Sequence, residues 1–419
     1  MIFHTYLLKL ILNAEFIFSP LKLGKAVRGF FKTVIQLTKQ IYFMEIKVQA
    51  KSLAAILKTA AKVINPKNSL PILGDVLFET RNNVLMATVS DGEQWLSQKC
   101  EVISYDEEFR FCINAAEFTT SVNTLGDFPI TITLDEATKV FTCDYGNGKF
   151  SMPYDNAEEF PLSSIDTSDT KDFIVDGKKV LKAVELTGFA TANDELRPVL
   201  NGIHFDFFAD GMVCATSDGQ KLARYKDKTI TSNNENGITS NFTLPKKPAN
   251  ILMNILSALE GDVKLSFNDK AISVNNKDFK LTARLLEARY PNYEAVIPKD
   301  NPITITADKN SLLNALKRVL PMANDQSNLV ELDFTYGGVT VSAKDIDFSK
   351  SACETVKCDC EREIKIGFKG STLAEILKNI NDDNIVIELS DPSRAGVFYS
   401  AFELTRDEYL SLCMPMLIQ

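Results

Sequence analysis

Met212-Val213-Cys214-Ala215-Thr216-Ser217, then Asp218-Gly219, then Gln220-Lys221-Leu222-Ala223 reads as a short apolar strand, a tight turn and a second strand. The same reading recurs on both sides of it. Val84-Leu85-Met86-Ala87-Thr88-Val89-Ser90 runs into Asp91-Gly92, and Val339-Thr340-Val341-Ser342-Ala343-Lys344 runs into Asp345. Asp91 to Asp218 is 127 residues, and Asp218 to Asp345 is 127 again. In the preceding strands, Phe78 to Phe205 is 127 and Phe205 to Phe334 is 129. The first two copies also close alike, at Phe160-Pro161 and Tyr290-Pro291. Landmarks that keep nearly one long period mark a duplicated domain, since solenoid repeats run at about 20–50 residues.

Each copy has the same coarse pattern of strand, helix, hairpin strands, second helix and further strands. Leading helices are predicted near Ser52–Ile64, Lys178–Phe189 and Asn310–Val319. In the first of these, Leu53, Ile56, Leu57, Ala60 and Val63 fall on one apolar face. Second helices are predicted near Ala115–Thr124, Pro248–Leu259 and Ser371–Ile380, with Pro248 opening one where its missing N–H costs nothing. Period-two alternation, as in Ile130-Thr131-Ile132-Thr133-Leu134, predicts strands. The fold class is α+β, with two helices packed on antiparallel sheets in each of three repeats. Boundaries fall in the Ser/Thr/Asp run 163–170 and around Pro298-Lys299-Asp300, which gives repeats at 44–168, 169–299 and 300–419.

Composition limits the function. With 45% hydrophobic and 24% charged residues the chain is an ordinary globular protein, not a collagenous or disordered one. A net charge of −9 excludes a generally basic nucleic-acid coat protein but leaves room for a local basic face. Two histidines cannot supply a multi-histidine metal site, and His204 in Ile203-His204-Phe205-Asp206-Phe207 reads as a packed strand residue. The eight cysteines include no CxxC spacing, and Cys358-Asp359-Cys360 is too tight for a zinc knuckle. Scattered thiols suit a reducing, cytoplasmic compartment, and no cofactor or metal is expected.

Residues 1–43 stand apart. Lys9, Lys22, Lys25, Arg28, Lys32 and Lys39 against Glu15 give them a charge of +5, whereas 44–419 carries −14. The apolar run Tyr6–Phe18 is interrupted by Lys9 and Glu15, so neither a spanning helix nor a secretory signal is indicated. A basic interfacial helix would fit the charge. Met44-Glu45-Ile46-Lys47-Val48 reads as a natural first strand, so the first 43 residues are expected to be a dispensable extension.

No catalytic motif emerges: there is no P-loop, no GxGxxG after a strand, no GxSxG and no HExxH. One alternative is a hydrolase using Asp91, Asp218 or Asp345. Repeated carboxylates at strand ends without a partner base read better as turns. The cations are more telling. They collect in or beside most helices: Lys51, Lys58, Lys62 and Lys67; Lys178, Lys179 and Lys182; Lys246 and Lys247; Lys309, Lys317 and Arg318; Lys369 and Lys378. Only Ala115–Thr124 lacks them. Each could be a solvated face, but the recurrence suggests one basic surface suited to phosphate contacts without base readout.

Four stretches then carry a resemblance: Leu70-Pro71-Ile72-Leu73, Arg197-Pro198-Val199-Leu200-Asn201-Gly202, Ser217-Asp218-Gly219-Gln220-Lys221-Leu222-Ala223 and Met414-Pro415-Met416. Together, across 44–419, they resemble the bacterial DNA polymerase III β-subunit family, the sliding clamps. The resemblance implies a head-to-tail homodimer closed into a ring around double-stranded DNA, without catalysis, that tethers polymerase, clamp loader and repair proteins through short linear peptides. Lys51, Lys58, Lys62, Lys67, Lys178, Lys179, Lys182, Lys246, Lys247, Lys317, Arg318, Lys369 and Lys378 would face the duplex, and no membrane is involved. Leu125, Phe150 and Met152 would meet Met322 of a second copy. The implied peptide groove maps onto Leu200, Ser217, Gly219, Gln220, Lys221 and Leu222 from the second repeat, with Pro291 and Val296 at its exit. The tail adds Leu412, Met414, Pro415, Met416 and Ile418. Ala295 and Leu417 stand where this family usually carries a basic residue.

Overall fold

The computed structural model describes residues 43–106, 108–209, 211–230 and 240–418; the expectation for residues 1–43 falls almost wholly outside them. The described chain divides into two compact lobes, one of residues 43–92 and 96–162, the other of residues 93–95 and 163–418.

In the first lobe, Phe43–Gln49 is the centre of an antiparallel sheet, paired with Pro129–Asp135 on one side and with Val102–Tyr105 on the other. Beyond Pro129–Asp135 come Val140–Asp144 and then Lys149–Pro153 at the edge. The hairpin Asp75–Arg81/Val84–Ser90 turns through Asn82 and Asn83, both at positive φ, the mirror-image turn that matches strand twist. Helices α1 (Ala50–Val63) and α2 (Ala115–Val122) pack on each other. The apolar stripe read from the sequence, Leu53 to Val63, is the buried face of α1. The Asn114 side chain caps α2 by accepting from Glu117 N–H at 3.1 Å. Phe78, Phe111, Phe118 and Phe141 fill the core, with ring centroids 5.0–6.0 Å apart in stacked, tilted and edge-on pairs.

The second lobe holds two further copies. Helices α3 (Gly177–Thr187) and α4 (Lys246–Leu256) pair in one, and α5 (Lys309–Val319) and α6 (Gly370–Lys378) in the other. Asp176 and Asp308 cap α3 and α5 through their carboxylates, at 2.8 and 2.6 Å from backbone N–H groups. Helix α4 starts two residues before the predicted Pro248, which sits in the first turn where N–H groups lack intrahelical partners anyway. The copies join because Lys221–Asp227 pairs with Gly211–Ser217 on one side and with Tyr409–Cys413 on the other. That seam makes one continuous thirteen-stranded sheet.

One buried carboxylate in the first lobe is out of balance. Asp75 is buried, and burial first, then the neighbouring Asp155 carboxylate, raises its pKa to about 7. A raised acid favours the fold in its protonated form, so stability is full below the unfolded pKa near 4 and is lost as pH rises through about 7. Asp75→Asn is therefore expected to stabilise the protein by on the order of 2 kcal/mol at pH 8 and by almost nothing at pH 4. Denaturant unfolding at the two pH values measures this; equal effects at both would show that the carboxylate pair carries no strain.

Candidate partner-binding groove

The groove begins at the Asp218-Gly219 turn. Gly219 sits at φ +90°, which a side chain would resist, and its N–H donates to Ser217 Oγ at 3.1 Å. The Asp218 carboxylate accepts from the N–H groups of Gln220 and Lys221, both at 2.8 Å, and pairs with Lys221 Nζ at 3.1 Å. Gly92, at φ +91°, repeats this with its N–H on Ser90 Oγ at 3.0 Å. The third copy differs: Asp345 is buried at the end of a strand, with Asn324 at 3.5 Å. The three aspartates thus share no environment in which a hydrolase could use them, and Asp218 is committed to holding a turn.

Strand pairing brings the tail to this turn. Lys221 lies opposite Cys413 and Leu222 opposite Leu412, and Met414 N–H donates to Gln220 O at 2.8 Å. Pro415–Met416 then pairs with Gly367 and Phe368 of the strand Ile364–Lys369. A Cβ on Gly367 would meet Met416 O at 2.8 Å and Ile418 at 3.1 Å, so the tail can lie this close only over glycine. Leu222 and Leu412 are only 2% exposed, packed with Ile297, Val397 and Leu410. Leu200 is likewise buried, with Ala192, Val199 and Tyr290. These three form the floor and not the open contact surface. Exposed apolar contact comes from Val296 at 56% and Met414 at 45%, beside exposed Pro291 and half-buried Pro415, Met416 and Ile418.

Charge in the groove is mostly spoken for. Lys221, 9% exposed, also pairs with Glu375 of α6 at 2.8 Å. Burial opposes its charge, but the Glu375 hydrogen bond and the Asp218 carboxylate outweigh that and hold the ammonium above its usual range. Arg224 donates to the carbonyls of Arg406 and Asp407 at 3.0 and 2.9 Å, stapling the same seam. Behind the wall, His204 stacks on Tyr290 at 4.6 Å and sits 3.3 Å from Asp206, which accepts from the Tyr293 hydroxyl at 2.7 Å. Burial pushes Asp206 up, but its bonds to His204 and Tyr293 prevail and hold it below the usual carboxylate range. His204 is a packed residue that positions the 290–296 wall.

A cavity of about 200 Å³ beside the tail is lined by Gln220, Gln326, Ser327, Lys369, Thr372 and Cys413 with Met414–Met416. Sequence reading missed Gln326, Ser327, Thr372 and Cys413. It placed Lys369 with the duplex-facing cations, whereas the fold puts it in this wall. Only the pairing of the tail with Ile364–Lys369 reveals these residues, and no sequence spacing encodes that pairing.

The remaining cations lie mostly exposed on or beside the helices: Lys58, Lys62, Lys67, Lys182, Lys246, Lys247, Lys317 and Lys378. Lys51 pairs with Asp127 at 3.6 Å and Lys178 with Glu260 at 3.2 Å, both exposed and easily exchanged. Lys179 is half-buried and donates to Thr229 Oγ1. Arg318 is held in a two-point fork by Glu354, and Lys309 is turned back onto Ile380 O at 2.9 Å. Those two are less free than their helix positions suggested. Phe150 and Met152 are half-buried on the edge strand, Leu125 is half-buried after α2, and Met322 is 36% exposed in the turn after α5.

Sequence profiles of the DNA polymerase III beta subunit match the chain in three consecutive parts: the N-terminal domain at 44–164, the central domain at 174–292 and the C-terminal domain at 294–415. The chain belongs to the DNA polymerase III β-subunit family. Among this family's members, the beta sliding clamp of Haemophilus influenzae is 23% identical over 351 residues, covering 83% of this chain and 93% of that one. That of Pseudomonas putida is 23% identical over 375 residues, covering 89% and 100%. The crystal structure of the Pseudomonas aeruginosa sliding clamp bound to griselimycin superposes with a TM-score of 0.82 at 22% identity, covering 90% of this chain and all of that one. The Thermotoga maritima DNA polymerase III beta subunit gives 0.81 at 22% with the same coverage. The family's three-domain α+β architecture is therefore the fold of this chain.

Proposed function

We propose that this protein is a DNA sliding clamp: two copies close head to tail into a ring around duplex DNA and tether replication and repair proteins, with no catalysis of their own. Family membership across all three repeats carries the reading. We assign the repeats to 44–168, 169–299 and 300–419. As duplex DNA is the track, the working compartment is the cytoplasm.

Open strand edges support the dimer. Within the second lobe, Lys221–Asp227 is completed by Tyr409–Cys413 of the next repeat. The equivalent strand of the third repeat, Lys350–Cys360, pairs along Lys350–Lys357 with Gly338–Asp345, and only Cys358–Cys360 reaches a strand on its other side. Lys149–Pro153 is the edge of its own sheet, paired only with Val140–Asp144 among the described residues. An unpaired edge at each end of a repeating chain is what a head-to-tail ring consumes. Phe150, Met152 and Leu125 would then meet Met322 of the second copy.

The exposed helix cations suit a lining that contacts phosphates of any sequence. Retention comes from topology, so these contacts stay weak enough for sliding. The groove of Val296, Pro291, Met414, Pro415, Met416 and Ile418, over a floor of Leu200, Leu222 and Leu412, would take the apolar side chains of partner peptides; thioethers repack around different ligands. The test is retention on DNA. Clamp loaded on a nicked circle should outlast clamp on the same DNA linearised by at least about tenfold, because an end lets a ring slide off. Lys67→Glu should weaken duplex contact, most at low salt. Equal lifetimes on circle and line would defeat encirclement.

A further inference from the structure

The cavity beside the tail holds an unbalanced charge. Lys369 lines it, with no carboxylate within 4.0 Å among the described residues. Its other polar walls, Gln220, Gln326, Ser327 and Thr372, are neutral. Of the other cations along the groove, Lys221 is satisfied by Asp218 and Glu375, and Arg197 pairs with Asp194 at 2.8 Å. Ala295 and Leu417 add no charge to the groove rim. The groove's open positive charge is thus concentrated at one point, half-buried beside Met414 and Met416.

We propose that Lys369 binds an Asp or Glu side chain of the partner peptide and thereby sets which partners this groove prefers. The inference rests on the groove reading above. Gln220 lines this cavity and also the neighbouring hollow formed by Ala192–Glu195, Arg197 and Asp218. A peptide running through both compartments meets Lys369 with an internal side chain, not with its terminal carboxylate. A half-buried cation facing neutral amides and hydroxyls favours one carboxylate and disfavours a basic residue at the same peptide position.

The experiment is fluorescence anisotropy on the full-length protein with labelled synthetic peptides carrying two apolar anchors and either Asp or Asn beside them. Each peptide is made with a free and an amidated C-terminus. Wild type should prefer Asp over Asn by about fivefold at low salt, a ratio that shrinks as salt screens the pair. Lys369→Gln should bring the ratio to about one, and Lys369→Arg should restore the preference. An unchanged ratio in Lys369→Gln overturns the proposal. So does a preference that follows the terminal carboxylate. If wild type binds both peptides equally, the proposal fails and the groove stands; if it binds neither, the groove reading fails and takes the proposal with it. If Lys369→Gln instead shortens retention on circular DNA and keeps the peptide ratio, the residue serves the duplex.

Discussion

Deleting Met414–Gln419 is expected to abolish peptide binding and leave the dimer intact. A groove of this size, with one or two buried apolar anchors worth roughly 1.5–3 kcal/mol each and association costs of at least about 4 kcal/mol, binds at about micromolar strength with help from backbone contacts. The deletion removes Met414 and Met416, the side chains that stand open to an incoming anchor, and with them the short strand on Gly367 and Phe368. Losing contact with both thioethers should cost at least about 3 kcal/mol, more than a hundredfold in affinity. The fold should survive, because Tyr409–Cys413 remains paired to Lys221–Asp227. Calorimetry with a partner peptide and sedimentation of the truncated protein measure the two halves. Unchanged affinity would move the partner site elsewhere, and a monomer would make the tail part of the assembly.

Met322→Asp is the converse experiment. Met322 is exposed within one copy, so an aspartate there costs the isolated chain little. In the proposed ring it would place an unpaired carboxylate against Phe150 and Met152 of the second copy. Losing a methionine's burial costs roughly 1.5–3 kcal/mol, and a buried, unpartnered charge adds several more. The dimer dissociation constant should rise by about a thousandfold or more. Sedimentation at micromolar concentration should show a monomer with unaltered circular dichroism, bound to peptide as before and not retained on circular DNA. A dimer of normal strength would place the interface elsewhere.

Much of this architecture was legible because duplication writes itself three times. The strand-end aspartates and the phenylalanines before them recur at a period that random sequence does not keep. Helix starts shifted by one or two residues, as for Lys246 against Pro248, because capping and sheet exit fix the first turn more than composition does. What sequence concealed was long-range pairing. Nothing local in Gln326, Ser327 or Thr372 announces that the tail will lie beside them. Nothing in Arg318 announces that Glu354, on a strand of the same repeat, will fork onto it. Leu200 and Leu222 carry the groove's sequence signature yet lie beneath its surface, since a motif marks which residues matter and not which are exposed.

The thiols of this chain are unequal. Seven of the eight cysteines are buried, and burial pushes Cys100 and Cys358 up to about 11 and Cys112, Cys143 and Cys413 up to about 12. Thiolate is the reacting species, so these are poor targets for a maleimide at neutral pH. Cys353 alone is exposed, and it stands on the strand whose edge is left open for a second copy. The protein therefore comes with a single attachment point for a dye or spin label at the place where a ring would part, with no cysteine to be removed first. Its labelling rate, slow when that edge is covered and fast when it is bare, is a direct clock for opening and closing.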